Sequence, residues 1–409
     1  MGKTMTKEVF SRSVLNTNNS TDLVCFSHLR WDFVYQRPQH LLTRCARERR
    51  VFFIEEPIYD NGSMRLEIRE ADAGVRVVVP HLPDGLRSEI AINAVMQEML
   101  RQMFFDHDIH EYVFWYYTPM ALSFTHHFKP LASVYDCMDE LSAFKDADSK
   151  LPQLEKQLFR KVDLVFTGGQ SLYEAKRDQH PSIYPFPSSI DRAHFGKARK
   201  AVSDPEDQAN IPHPRLGFFG VIDERFDIEL LDRVAAARPD WNFVIIGPVV
   251  KIDPETLPKH SNIHYLGAKK YDDLPRYLSG WDIALLPFAR NASTRFISPT
   301  KTPEYLAAGK PVISTPIRDV VRPYGEMKLV EITDTPEEFI GAAEKILASS
   351  APSEWLTKVD TFLKEISWDK TWAQMSKLIS EVIERKRPAR TAALAFDSAS
   401  RRASAAATS

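Results

Sequence analysis

Hydrophobic residues along this chain fall into short solid runs, separated by stretches in which apolar positions recur every three or four residues. Apolar runs of four to six residues bounded by turn formers predict strands buried on both faces. The first half holds six of them: "DLVCFSH" (22–28), "VFFIEEP" (51–57), "VRVVVP" near Val77, "YVFWYY" near Phe114, "SVYDCMD" near Tyr135 and "VDLVFTGG" near Val165. The segment "GKARKAVSDPEDQANIPHP" (196–214) then breaks the pattern, being polar, proline-containing and aperiodic, and reads as a linker. After it the pattern restarts with "RLGFFG", "NFVIIGP", "IHYLG", "DIALLPF", "PVIST" and "KLVEI". Strands alternating with helical segments predict an α/β protein of parallel sheets covered on both faces. Two doubly wound, Rossmann-like domains follow, over 21–195 and 215–366.

Trp372, Met375, Leu378, Ile379, Val382 and Ile383 form one helical stripe, which predicts a closing helix over 367–387 with Asp369 as its N-cap. On pattern alone this is equally a surface helix of the second domain. The first twenty residues are expected to be flexible, and the Ala/Ser-rich stretch 388–409 to be disordered.

Length agrees with two domains, because 409 residues exceed what one hydrophobic core supports. With 53 Lys and Arg against 55 Asp and Glu, the net charge is −2, which argues against a broadly basic nucleic-acid-binding surface. Cys25, Cys45 and Cys137 are too far apart in sequence for a disulfide framework or a zinc motif, and fit a reducing compartment. The start lacks the apolar run of a secretory signal, and no stretch approaches the roughly 18–20 apolar residues of a membrane span. A cytoplasmic location is expected, with any membrane contact peripheral and at the inner face of the plasma membrane.

In open parallel sheets, ligands sit beyond the carboxyl ends of the strands. The stretch "SPTKTPEYLAAGKPVIS" (298–314) lies at such a place. Thr302 suits an N-cap, Pro303 the first helical position and Gly309 the stop. Glu304 near a helix start needs no further reason, since the helix dipole favours it. Lys301 does, because the same dipole opposes a cation there. An anion held at that corner by Lys301, with Ser298 and Thr300 as hydroxyl donors, would supply the reason. In "GFFGVIDERFD", Gly220 ends a strand and Arg225 follows in the loop, with the fork geometry that grips phosphate oxygens. Arg225 and Lys301 together make a phosphate clamp.

These residues carry a family resemblance. "SPTKTPEYLAAGKPVIS", preceded by "IHYLGAKKYDDLPRYLSGWDIALLPF", resembles the donor half of GT-B glycosyltransferases. "CFSHLRWDFVYQRPQHLLTRCA" is similar to bacterial group 1 enzymes that build extracellular or cell-wall polysaccharides of the teichuronic-acid type. The resemblance implies a GT-B fold, two domains facing a central cleft, with the closing helix crossing back to the first domain. It implies a nucleoside diphosphate sugar as donor, a UDP-sugar foremost, and a glycan or polyprenyl-diphosphate-linked acceptor, with transfer of a hexosyl-type group. It also implies that Glu304 bonds the ribose, that Lys301, Arg225 and the amides around Pro299 and Thr300 neutralise the diphosphate, and that Gly267 and the loop to Tyr271 lie beside the base. Such enzymes work without a cofactor or a bound metal, and the sequence offers no metal-ligand cluster; His126 and His127 are adjacent and expected on opposite sides of their element.

One departure stands out. Many retaining members carry a glutamate eight positions before the ribose-binding one, where this chain has Phe296. An inverting enzyme instead needs a general base on the acceptor side. Asp139 is the favoured candidate and Asp136 the second, both in "YDCMDELSAF" at a strand end, with a helix-capping acid as the alternative. His28, Arg30, Trp31 and Arg37 are candidate acceptor contacts. Two other readings of the fold stay open: an epimerase or hydrolase of the nucleotide sugar, and a non-catalytic scaffold or sugar-nucleotide sensor.

Overall fold

A computed structural model describes residues 21–200, 203–349 and 353–407, with side chains up to residue 388. The flexible start expected over 1–20 and part of the 388–409 tail lie outside the described residues. The first sheet comprises β1 (Asp22–Phe26), β2 (Val51–Ile54), β3 (Ile58–Asp60), β4 (Arg65–Glu70), β5 (Val75–Pro83), β6 (Tyr112–Tyr116), β7 (Ala132–Cys137), β8 (Leu164–Thr167) and β9 (Ile183–Pro185). The second comprises β10 (Arg215–Phe219), β11 (Asn242–Ile246), β12 (Ile263–Gly267), β13 (Ile283–Leu286), β14 (Val312–Ser314) and β15 (Glu331–Ile332). Their orders are β3-β5-β2-β1-β6-β7-β8-β9, with β4 antiparallel on β5, and β12-β11-β10-β13-β14-β15. Each sheet starts in its middle, winds outward, then crosses back to wind the other way. The reversals fall between β1 and β6 and between β10 and β13, the positions where a parallel sheet opens a crevice.

The apolar runs explain the strands: β1, β2, β6, β7, β10, β11 and β13 are buried along their whole length. The pattern missed β3, β4 and β9: β3 and β9 are three residues long and β4 is polar and largely exposed, so none leaves an apolar run to read. The described part of the linker is docked rather than loose. Gln208 is fully buried, accepts from Trp281 Nε1 at 2.9 Å and donates to the Tyr277 carbonyl at 3.0 Å, while Arg215 pairs with Asp204 at 2.7 Å.

The closing helix, Trp368–Ala407, begins within a residue of expectation and runs on through Pro388. Its alanine-rich end has high helix propensity, the property that reading it by low hydrophobicity overlooked. Ser367, not Asp369, caps it, accepting from the Lys370 N–H at 3.1 Å. Asp369 pairs with Arg44 of the first domain at 2.9 Å, and Trp372 Nε1 donates to Glu48 at 2.8 Å. Trp368, Trp372, Met375, Ile379, Val382 and Ile383 are buried in the core of the first domain, so the stripe is a crossover contact.

Aromatic rings tie the halves together near the cleft. Tyr271 stacks on Tyr35 of the first domain, with centroids 4.3 Å apart, and on His194 of the connection at 4.2 Å. His40 stacks on Trp368 of the closing helix at 4.6 Å. Phe296 packs against the apolar cluster of the first domain that includes Leu172 and Tyr116.

Candidate active site

The carboxyl ends of both sheets line one cleft of about 960 Å³. On its second-domain wall, β10 ends at Gly220, whose φ of 146° favours glycine. A Cβ on Gly220 would lie 2.1 Å from Cε of Lys301, so the bare backbone is what lets the lysine lie across this strand end. Gly247, after β11, closes on Gly220 in the same way: a Cβ there would meet the Gly220 carbonyl oxygen at 1.8 Å.

Lys301 opens the helix Lys301–Ala307, two residues before the expected start. Thr302 therefore caps nothing; it is fully buried, with its hydroxyl unpartnered. Pro303 fits the third helical position because the first four N–H groups of a helix have no internal acceptor to lose. Glu304 is 5% exposed and lines the cleft. Among the described residues neither Lys301 nor Glu304 has an ion-pair partner within 4.0 Å. Burial pushes Lys301 down from the ordinary lysine range, against the pull of Glu304, and pushes Glu304 up, against the pull of Lys301. Such charges are costly unless a ligand completes them.

Arg225 also lines the cleft and is aimed by a residue the sequence reading overlooked. Asp223, 3% exposed, accepts from its Nε at 3.0 and 3.1 Å and from its Nη2 at 2.6 Å. Only its position two residues before Arg225 hinted at this. Ser298, Pro299 and Thr300 complete the wall, and the Ser298 carbonyl accepts from Ser188 of the first domain at 2.6 Å. Gly267 stands outside the lining, its carbonyl accepting from Gly247 at 3.0 Å. Tyr271 lines the cleft only by its edge, because Tyr35 and His194 stack on its ring; its hydroxyl is buried without a partner.

The first-domain wall differs from expectation. Asp139 follows β7, lines the cleft and makes no side-chain hydrogen bond among the described residues. Burial raises its carboxyl to about 6, against the lowering effect of Arg225, Arg37 and Lys301, with Asp223 adding to the rise. Asp136, the second candidate base, is fully buried and receives three N–H···O bonds of 2.8–3.1 Å from Arg37. Arg37 spends its remaining nitrogen on the Phe186 carbonyl at 2.7 Å. These two residues form a structural pair, and neither is available as base or acceptor contact.

Arg30 is also committed, bonding Glu55 at 2.9 Å and the Glu56 carbonyl at 2.6 Å. The Trp31 ring is 6% exposed, edge-on to Phe53 in the core at 5.0 Å, so it offers no stacking face. His28 is outside the lining, and burial pushes its imidazole down to about 4, with Lys251 adding to the fall and the Tyr117 backbone opposing it. The segment after β1 nevertheless forms much of the first-domain wall: Trp31, Phe33, Tyr35 and Arg37 line the cleft, while His28 and Arg30 do not. The Ser171 N–H donates to Asp319 of the second domain at 3.0 Å, a further tie between the halves. Among the described residues no group of three or more His, Cys, Asp and Glu could hold a metal ion, and no helix is long and apolar enough to cross a membrane.

Two switch-point crevices closed on one cleft, with a helix returning to the first domain, define the GT-B class. Solved structures agree on the fold. Sucrose-phosphate synthase from Thermosynechococcus elongatus superposes with a TM-score of 0.68 at 14% identity over 90% of this chain and 100% of its own. A trehalose-6-phosphate structure from E. coli, bound with UDP-2-fluoro glucose, gives 0.62 at 13% over 89% and 99%. Residues 213–349, most of the second domain, match the family model "Glycosyl transferases group 1". The chain is 28% identical over 168 residues to the putative teichuronic acid biosynthesis glycosyltransferase TuaH of Bacillus subtilis (strain 168). That alignment covers 40% of this chain and 42% of that relative, about two fifths of each.

Proposed function

We propose that the chain transfers a hexosyl group from a nucleoside diphosphate sugar, a UDP-sugar foremost, to a glycan or lipid-diphosphate-linked acceptor in surface polysaccharide assembly. The carrying observation is the buried Glu304 and the half-buried Lys301, neither in an ion pair among the described residues, beside Arg225 and opposite Asp139. Glu304 accepts hydrogen bonds from the ribose hydroxyls, and Lys301 and Arg225 neutralise the diphosphate. As the bond from sugar C1 to the phosphate oxygen breaks, the leaving nucleoside diphosphate gains negative charge. Fixed cations aimed there lower the barrier. Asp139 takes the proton of the acceptor hydroxyl while its oxygen attacks C1, a direct displacement that inverts that carbon.

Phe296, whose place would favour a non-catalytic scaffold, has a packing reason in the first domain's apolar cluster. On this reading the protein works from the cytoplasmic side, at the membrane surface when the acceptor carries a polyprenyl chain. A thermal-shift panel of UDP, GDP, ADP and dTDP sugars tests it, since a ligand of the native state raises stability by mass action. One nucleotide class should raise Tm, and no shift across the panel would refute the proposal. Product analysis with donor alone separates transfer from the epimerase or hydrolase reading, since those would turn over without acceptor.

A further inference from the structure

The loop between β7 and the helix Leu151–Lys161 carries Asp139 and then reaches across the cleft. On its own side it is anchored at once: Glu140 pairs with Lys176 at 2.8 Å, and Lys176 pairs with Glu155 at 2.8 Å, the lysine side chain being 5% exposed. Five residues after Asp139, Phe144 meets the second domain. The Arg225 guanidinium lies over its ring at 5.2 Å from the centroid, and the Lys251 ammonium lies over it at 5.4 Å. Next to it, the Lys145 N–H donates to Glu224 at 3.1 Å, and Lys145 Nζ donates to the Lys251 carbonyl at 3.2 Å. Every one of these partners sits in the loops after β10 and β11.

A ring accepts two cations where a carboxylate would neutralise them, because the π face attracts without carrying a charge. The Phe144 contact thus holds Arg225, already paired on one edge with Asp223, without spending its remaining guanidinium edge on a second carboxylate. We propose that Phe144 is a positioning residue that docks the Asp139 loop onto Arg225, so that the proton-accepting and phosphate-binding sides of the cleft are aligned through one ring. The proposal rests on the function proposed above for its catalytic consequence, but the docking itself is a property of the ligand-free chain.

Loss of the ring leaves Arg225 its Asp223 partner, so donor binding should persist while alignment of Asp139 fails. Phe144→Leu and Phe144→Ala should lower kcat roughly 10- to 100-fold, the scale of a small misplacement of a reacting group, with donor KM changed less than about threefold. Phe144→Tyr and Phe144→Trp, which keep a π face, should restore most of it. Hydrogen exchange of the ligand-free protein supplies the second readout. The Lys145 N–H and the segment 223–226 should exchange faster in Phe144→Leu than in wild type, and near wild-type rate in Phe144→Tyr. Wild-type exchange in Phe144→Leu, or equal kcat for the leucine and tyrosine variants, overturns the proposal. If no nucleotide binds even wild type, the donor reading has failed and the exchange comparison alone decides the docking.

Discussion

The two domains that close the cleft both carry cations beside carboxylates, yet they treat charge in opposite ways. On the first-domain wall Arg37 is consumed by Asp136 at 2.8 Å, and behind that wall Arg30 and Lys176 are likewise taken up by Glu55 and Glu140 at 2.8–2.9 Å. On the second-domain wall the buried Glu304 and the half-buried Lys301, whose ammonium lies over the Phe218 ring at 5.8 Å, have no ion-pair partner among the described residues, and Arg225 is aimed by Asp223 rather than removed from the cleft. A buried pair that satisfies itself builds structure, whereas a buried charge left open asks for a ligand. Asp139 is the exception on its wall, and that is why it and not Asp136 is the proposed base.

The largest expected effect tests that exception. Asp139→Asn should lower kcat by about 10²–10⁴-fold, the usual contribution of a general base, with donor affinity kept. Because burial raises its carboxyl to about 6, wild-type kcat/KM should fall as pH drops through that value, a limb the asparagine variant loses. A carboxyl raised on folding costs stability above its folded value and costs nothing below its unfolded one. Asp139→Asn should therefore raise Tm near pH 7 and leave it unchanged below about pH 4.

Arg37→Ala should do the reverse, leaving Asp136 buried and unpaired and costing about 3–5 kcal/mol in denaturant unfolding. Equal stability of these two variants at pH 7 would erase the contrast between the walls. A smaller effect is expected from Arg225→Ala, which removes hydrogen bonds to a charged group and should weaken nucleotide binding by roughly 10- to 100-fold, with some loss of stability because the buried Asp223 loses its guanidinium partner. The smallest is Tyr271→Phe, which deletes a buried hydroxyl that bonds nothing and keeps the ring stack; unfolding should move by less than about 0.5 kcal/mol. A large loss there would mean that the hydroxyl has a partner.

Where burial was complete the fold was legible in the chain, because a strand covered on both faces leaves an unbroken apolar run such as "NFVII" or "YVFWY". The exposed edge strands β3 and β4 left none. Lys301, Glu304, Arg225 and Asp139 could be singled out because a strand-end position and an awkward charge are both local facts. That Arg37 and Asp136 cancel is not local: 99 positions separate them, and only the packing of helix Arg37–Cys45 against β7 brings them together. Phe144 was unreadable for the same reason, since its partners lie in the other domain.

The open charges of the second-domain wall are tested most directly by calorimetric titration of the nucleoside diphosphate that shifts Tm most, into wild type, Lys301→Ala and Glu304→Ala. If those charges are ligand contacts, wild type binds and each variant loses at least about tenfold in affinity, while unfolding as cooperatively as wild type. Unchanged affinity in both folded variants would contradict the account.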